Sequence, residues 1–249
     1  MRKIIFKGIS FLDFSDNYIN KILNKNGLFV FPAATALVNI YKNKKYYNSL
    51  KKADLVFFDS GFLVILFKIF KKLNINKFSG YKFLKFLFKK MKQEKPKTFL
   101  VDPNKKFSLN NFKYLRSIGI KKNNIKNYVC PMYKSSYIED QYLLKKIKKF
   151  KPSIIIVNIG GGTQEVLGHY LKKKLNHKCK IICTGAAISF FTKDQAPIND
   201  FIDKFYLGWL VRFFFNPFSL FIKYLKVFKL IAMVLCSEVK IFNYERRVT

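Results

Sequence analysis

Short apolar runs alternate along this chain with longer segments that carry their hydrophobic residues on one helical face. The runs cover residues 27–32, 54–58, 98–101, 128–130, 154–157 and 180–183. Each is short and closes at a turn, which predicts buried strands. Between them, segments 33–42, 46–52, 62–72, 83–91, 107–118, 139–150 and 164–174 predict helices. Strands that alternate with helices in this way predict an α/β fold. The expected form is a Rossmann-like, mostly parallel sheet with helices on both faces.

In such a sheet, ligands bind beyond the carboxyl ends of the strands. Four features fall there: Thr35, Asp59, the turn at 160–165, and Thr184-Gly-Ala-Ala187. The turn reads Asn158-Ile-Gly-Gly-Gly-Thr-Gln-Glu165, directly after an apolar run. Gly160, Gly161 and Gly162 allow the main chain to approach a phosphate, whose charge a following helix N-terminus favours. Gln164 and Glu165 are placed in the first helical turn with their polar tips free. The spacing matches neither the dinucleotide fingerprint nor the P-loop, so plain chain reversal remains the alternative. Asp59 ends an apolar run and precedes Ser60-Gly61. There it either caps the next helix or faces the crevice as a general base, raised by its apolar neighbours Phe57 and Phe58.

After Asp194 the pattern changes. Residues 204–235 are aromatic and basic, and Lys223, Lys226 and Lys229 recur every third position. Phe221, Leu225, Phe228 and Ala232 fall on other faces, which makes a basic amphipathic helix suited to an anionic membrane surface. An ordinary docked helix is the alternative. The expected division is a catalytic α/β domain over 1–197 and a helical, membrane-associating appendage over 198–249. Arg212 lies there among Trp209, Leu210, Val211 and Phe213. A planar guanidinium grips a diphosphate with paired hydrogen bonds, a geometry Lys lacks. A snorkelling surface Arg is the plainer alternative. No uncharged apolar run of about eighteen residues is present, so no membrane span is expected. The first residues, soon interrupted by Lys7 and Asp13, do not resemble a signal peptide.

Forty-eight basic against 14 acidic residues give a net charge of +34. That points to a polyanionic partner. Only five basic residues are Arg, however, and Ile, Asn, Phe and Tyr abound. Such a mix also arises from AT-rich coding. Nucleic-acid binding would need a compact basic face and a known module, and the chain has neither. Aromatic content of 18% argues against disorder. Cys130, Cys179, Cys183 and Cys236 form no Cys-x-x-Cys pair, and His169 and His177 complete no zinc pattern. They are expected as reduced thiols of a cytoplasmic protein.

Four segments, in order, resemble the WecG/TagA/CpsF glycosyltransferases, also known as glycosyltransferase family 26. Ala53-Asp-Leu-Val-Phe-Phe-Asp-Ser-Gly61 is similar to that family's "adlv-x-pDG". Ile159-Gly-Gly-Gly-Thr-Gln-Glu165 is similar to "lG-x-PkQE". Gly185 to Pro197, ending in Gln195-Ala-Pro197, is similar to "Gg-x-fd…rAP". Gly208-Trp-Leu-Val-Arg-Phe-Phe-Phe-Asn-Pro217 is similar to "EWlyRl-x-x-eP". The resemblance runs from about Phe29 to about Tyr224. It implies an inverting, metal-independent transferase that needs no cofactor. Such an enzyme moves an N-acetylhexosamine-type sugar from a UDP-sugar donor to a polyprenyl-diphosphate-linked sugar acceptor. It would work on the inner face of the cell membrane, in surface polysaccharide biosynthesis. Asp59 would be the base. Thr35, Gly160, Gly161, Gly162, Gln164, Glu165, Gln195 and Arg212 would bind substrate. A homo-oligomer is open. The chain departs from the family pattern at Ser60, at Gly162-Thr163 in place of Pro-Lys, and at Gly208 in place of Glu. Near Thr35 the family's usual Asn has no counterpart. An inactive scaffold of the same fold, or a nucleic-acid-binding protein, are the competing readings.

Overall fold

The computed structural model describes residues 1–134, 136–194 and 227–243. Nine strands form one sheet: β1 (Arg2–Phe6), β2 (Ile9–Asp13), β3 (Gly27–Val30), β4 (Leu55–Phe57), β5 (Thr98–Asp102), β6 (Ile125–Val129), β7 (Ile154–Val157), β8 (Lys180–Cys183) and β9 (Val239–Asn243). Their order is β6-β5-β7-β8-β3-β4-β2-β1-β9. From β6 through β2 every pairing is parallel. β1 runs antiparallel to both β2 and β9.

The helices are α1 (Ile19–Leu23), α2 (Ala34–Leu37), α3 (Lys44–Lys51), α4 (Gly61–Lys71), α5 (Gly80–Glu94), α6 (Lys105–Ser117), α7 (Gln141–Phe150), α8 (Thr163–Lys174) and α9 (Lys229–Leu235). Side chains of α2, α3, α4, α7, α8 and α9 join one half of the core. Those of α1, α5 and α6, with the 3₁₀ segment Gly185–Phe190, join the other. Successive residues of a strand face opposite sides. Ile155 and Val157 accordingly enter the first half, and Ile154 and Ile156 the second. A strand covered on both faces has no polar position to spare, so β7 is apolar throughout. Phe57 and Phe58 divide in the same way, Phe57 stacking on Phe31 with centroids 4.4 Å apart and Phe58 on Phe11 at 4.7 Å.

Helix starts follow local chemistry. Ser60 accepts from the Leu63 N–H, Ser79 from Lys82, Asn104 from Phe107 and Asp140 from Leu143, at 2.7–3.2 Å. Each side-chain oxygen satisfies an N–H that the first turn leaves unpaired.

The six expected strands and the covered parallel sheet are present. The hairpin β1–β2 is an addition to the expected set. Lys7 and Gly8, both at positive φ (51° and 73°), turn it, the conformation a two-residue hairpin loop needs. Residues 239–243, expected within a helical appendage, are instead strand β9 of the same sheet. Edge strands exist through a distant partner, here β1, and local pattern does not encode that partner. The remainder of the expected appendage at 198–226 and 244–249, with Gln195, Trp209, Arg212, Lys223 and Lys226, lies outside the described residues. Among the described residues no helix is long and apolar enough to cross a membrane.

Candidate active site

The carboxyl ends of β3, β4, β7 and β8 lie along one edge of the sheet, because these strands are parallel neighbours. Helix α6 leaves β5 toward one face and α8 leaves the adjacent β7 toward the other. A crevice opens where connections diverge in this way.

Asp59 stands two residues past β4, half-buried. Its Oδ1 accepts the Gly80 N–H at 2.8 Å. That N–H is the first of α5, which has 15 residues, while α4 begins two residues after Asp59, at Gly61. One carboxylate therefore stands between two helix N-termini, where negative charge is favoured. Both readings of Asp59 are thus compatible. It caps a helix, but the helix is α5 rather than the adjacent α4, which Ser60 caps.

The glycine turn follows β7. Gly160 and Gly161 are exposed, and their N–H groups have no hydrogen-bond partner among the described residues. A Cβ added to Gly160 would meet nothing within 4 Å, and one on Gly161 would lie 3.4 Å from the Ala36 Cβ. The turn thus borders α2, which carries the half-buried Thr35. Gly162 adopts φ +90°, in the region that favours glycine.

Gln164 and Glu165 differ from expectation. Their tips are not free: Gln164 is 2% exposed and Glu165 0%. The Gly162 N–H donates to Glu165 Oε2 at 2.7 Å, and Gln164 Nε2 donates to Glu165 Oε1 at 3.1 Å. The first contact is one half of a capping box; glycine has no side chain to supply the other. Gln164 Oε1 in turn accepts the Gly185 N–H at 2.6 Å. Gly185 sits at φ +61° in the loop after β8. Two adjacent residues thereby tie the β7–α8 turn to the β8 loop. The reason is geometric: α8 packs against α3, β3 and β8, and Gln164 and Glu165 lie on its buried side. The β8 loop is also pressed on α5, where a Cβ at Gly80 would stand 3.1 Å from the Thr184 Cβ.

Burial raises the Glu165 carboxyl from 4.5 to about 7, against its hydrogen bonds, and the Asp59 charge adds to the rise. Two acidic groups of unlike environment, one enclosed and one half-buried, therefore act on one another.

Sequence reasoning missed a second polar cluster. Asp102 ends β5 and is fully buried. Its Oδ1 accepts from Asn111 Nδ2 and Asn158 Nδ2, each at 2.7 Å. Burial raises its carboxyl, while these amides lower it. Asp102 carries the same signal as Asp59, an acid closing an apolar run, but the Pro103-Asn104 that follows equally suits a plain turn. Asn158 precedes the glycine turn, so the cluster buttresses that turn from beneath.

The glycosyl transferase WecG/TagA/CpsF family model matches residues 3–243. The chain belongs to that family. It is therefore a glycosyltransferase by family, with the α/β fold described above. No curated protein matches it. The match spans both β1 and β9, so the added hairpin and the edge strand fall within the transferase unit. Among the described residues no group of three or more His, Cys, Asp or Glu gathers as metal ligands would.

Proposed function

We propose that the protein is an inverting glycosyltransferase. It moves an N-acetylhexosamine-type sugar from a UDP donor to a polyprenyl-diphosphate-linked acceptor, at an anionic membrane surface. The observation that carries this reading is the placement of Asp59 between the N-termini of α4 and α5, on the sheet edge that also bears the open glycine turn. The N–H groups of Gly160 and Gly161, unpaired among the described residues, are suited to the donor diphosphate. Asp59 is suited to the acceptor hydroxyl. The hydroxyl oxygen attacks the anomeric carbon and its proton passes to Asp59. The bond from that carbon to the diphosphate oxygen breaks, and UDP leaves with the electron pair. Attack opposite the leaving group inverts the anomeric centre. The leaving charge is met by backbone N–H groups and helix ends, with no metal required. The chain's positive charge suits anionic lipid headgroups.

The test is UDP release from UDP-N-acetylhexosamines in the presence of a lipid-diphosphate-linked sugar. Asp59→Asn keeps an oxygen for the Gly80 N–H but cannot take a proton. Its kcat is expected to fall by about 10²–10⁴-fold, with the melting temperature nearly unchanged. Turnover equal to wild type would remove Asp59 from the mechanism. An absence of turnover and of UDP-sugar binding in the wild type would favour the inactive scaffold.

A further inference from the structure

Glu165 is wholly enclosed at the base of the glycine turn. No Lys or Arg among the described residues pairs with it. From its own helix it meets the Gly162 N–H and the Gln164 amide. From the β4–α4 loop it feels the Asp59 charge. From α3 and β8 it acts on the Tyr46 hydroxyl and the Cys183 thiol, both held neutral by burial and by its own charge. Among the described residues, no cation compensates an ionised carboxylate so enclosed. A diphosphate on the Gly160 and Gly161 N–H groups would add negative charge close by.

We propose that Glu165 is a positioning residue that takes up a proton when a nucleotide-diphosphate sugar occupies the glycine turn. The inference rests on the donor-site reading above. A protonated carboxyl keeps a lone pair on each oxygen for the Gly162 and Gln164 donors. The turn therefore stays tied to the Gly185 loop while the added charge is offset. Donor binding and protonation then strengthen one another by linkage.

UDP-N-acetylglucosamine is the probe, because its diphosphate diester exchanges no proton near neutrality. Calorimetric titration near pH 7.5, in two buffers of different ionisation enthalpy, reads the protons taken up. The wild type is expected to take up about half a proton or more, and Glu165→Gln none. Should that variant not fold, wild-type affinity decides the question. It is expected to be about tenfold tighter near pH 6.5 than near pH 8.5. Binding with no proton uptake, or with equal uptake in the variant, overturns the role of Glu165 and leaves the donor site standing. Absence of binding overturns the donor-site reading itself.

Discussion

Replacing Glu165 with Gln should reverse its effect on stability as pH rises. In the folded protein the carboxyl titrates at about 7 instead of 4.5, chiefly through burial. A carboxyl raised on folding contributes stability that is fully present below its unfolded value and is lost as pH climbs through the folded one. The window is therefore about pH 4.5 to 7. At about 1.4 kcal/mol per pH unit, the loss across it is about 3 kcal/mol. Glutamine removes that ionisation. It also turns one acceptor into a donor, so the Gln164 Nε2 contact, 3.1 Å in the native protein, is lost. That costs about 1 kcal/mol. Near pH 5 the variant should be slightly less stable than wild type, and near pH 8.5 more stable by about 2 kcal/mol. Urea unfolding of both proteins across this range measures the difference. A difference that is constant with pH would refute the reasoning, since a purely steric or hydrogen-bonding effect has no such slope. A difference that grows in the opposite direction would mean that the folded protein stabilises the charged form.

Two further substitutions separate packing from ligand approach. A methyl group at Gly168 would lie 2.7 Å from Leu28 Cδ1 and 2.8 Å from Cys183 Sγ, where α8 crosses β3 and β8; Gly168→Ala should cost about 1–3 kcal/mol, read as a lowered urea midpoint. At Gly160 the methyl group meets nothing, so Gly160→Ala should change stability by less than about 0.5 kcal/mol. If a diphosphate does approach that backbone, the same variant should raise the donor KM by about tenfold or more, and an unchanged KM would place the donor elsewhere. In the Asp59→Asn comparison, a melting temperature lowered by many degrees would mark Asp59 as structural first and catalytic second.

The alternation of apolar runs with amphipathic segments, together with the family resemblance, makes the fold class legible in the sequence. The central strands could be read because both their faces are covered. A continuous apolar run as short as Ile154–Val157, closed by a glycine turn, suits a strand buried on both sides. The edge strand β9 could not be read in the same way. β9 is exposed along most of its length and depends on β1, at the opposite end of the chain. In the candidate site, Asp59 and the glycines were visible as chemistry at strand ends. The orientation of Gln164 and Glu165 was not, because residues of one helical turn point toward core or crevice according to how the helix packs. Asp102, Asn111 and Asn158 were invisible as a group, since they come from β5, α6 and the turn after β7.

By itself, the sequence determined which residues could end strands, turn with positive φ and carry charge to the crevice, since these depend on local chemistry. Only the tertiary structure decided which of those groups remain free. It used the Gly162 N–H and the Gln164 amide to lock the turn, left Gly160 and Gly161 open, and set Asp59 on α5. The physical reason is burial. Where α8 packs over β3 and β8, the enclosed Gln164 and Glu165 take partners inside, while Gly160 and Gly161 on the exposed turn stay open to a ligand.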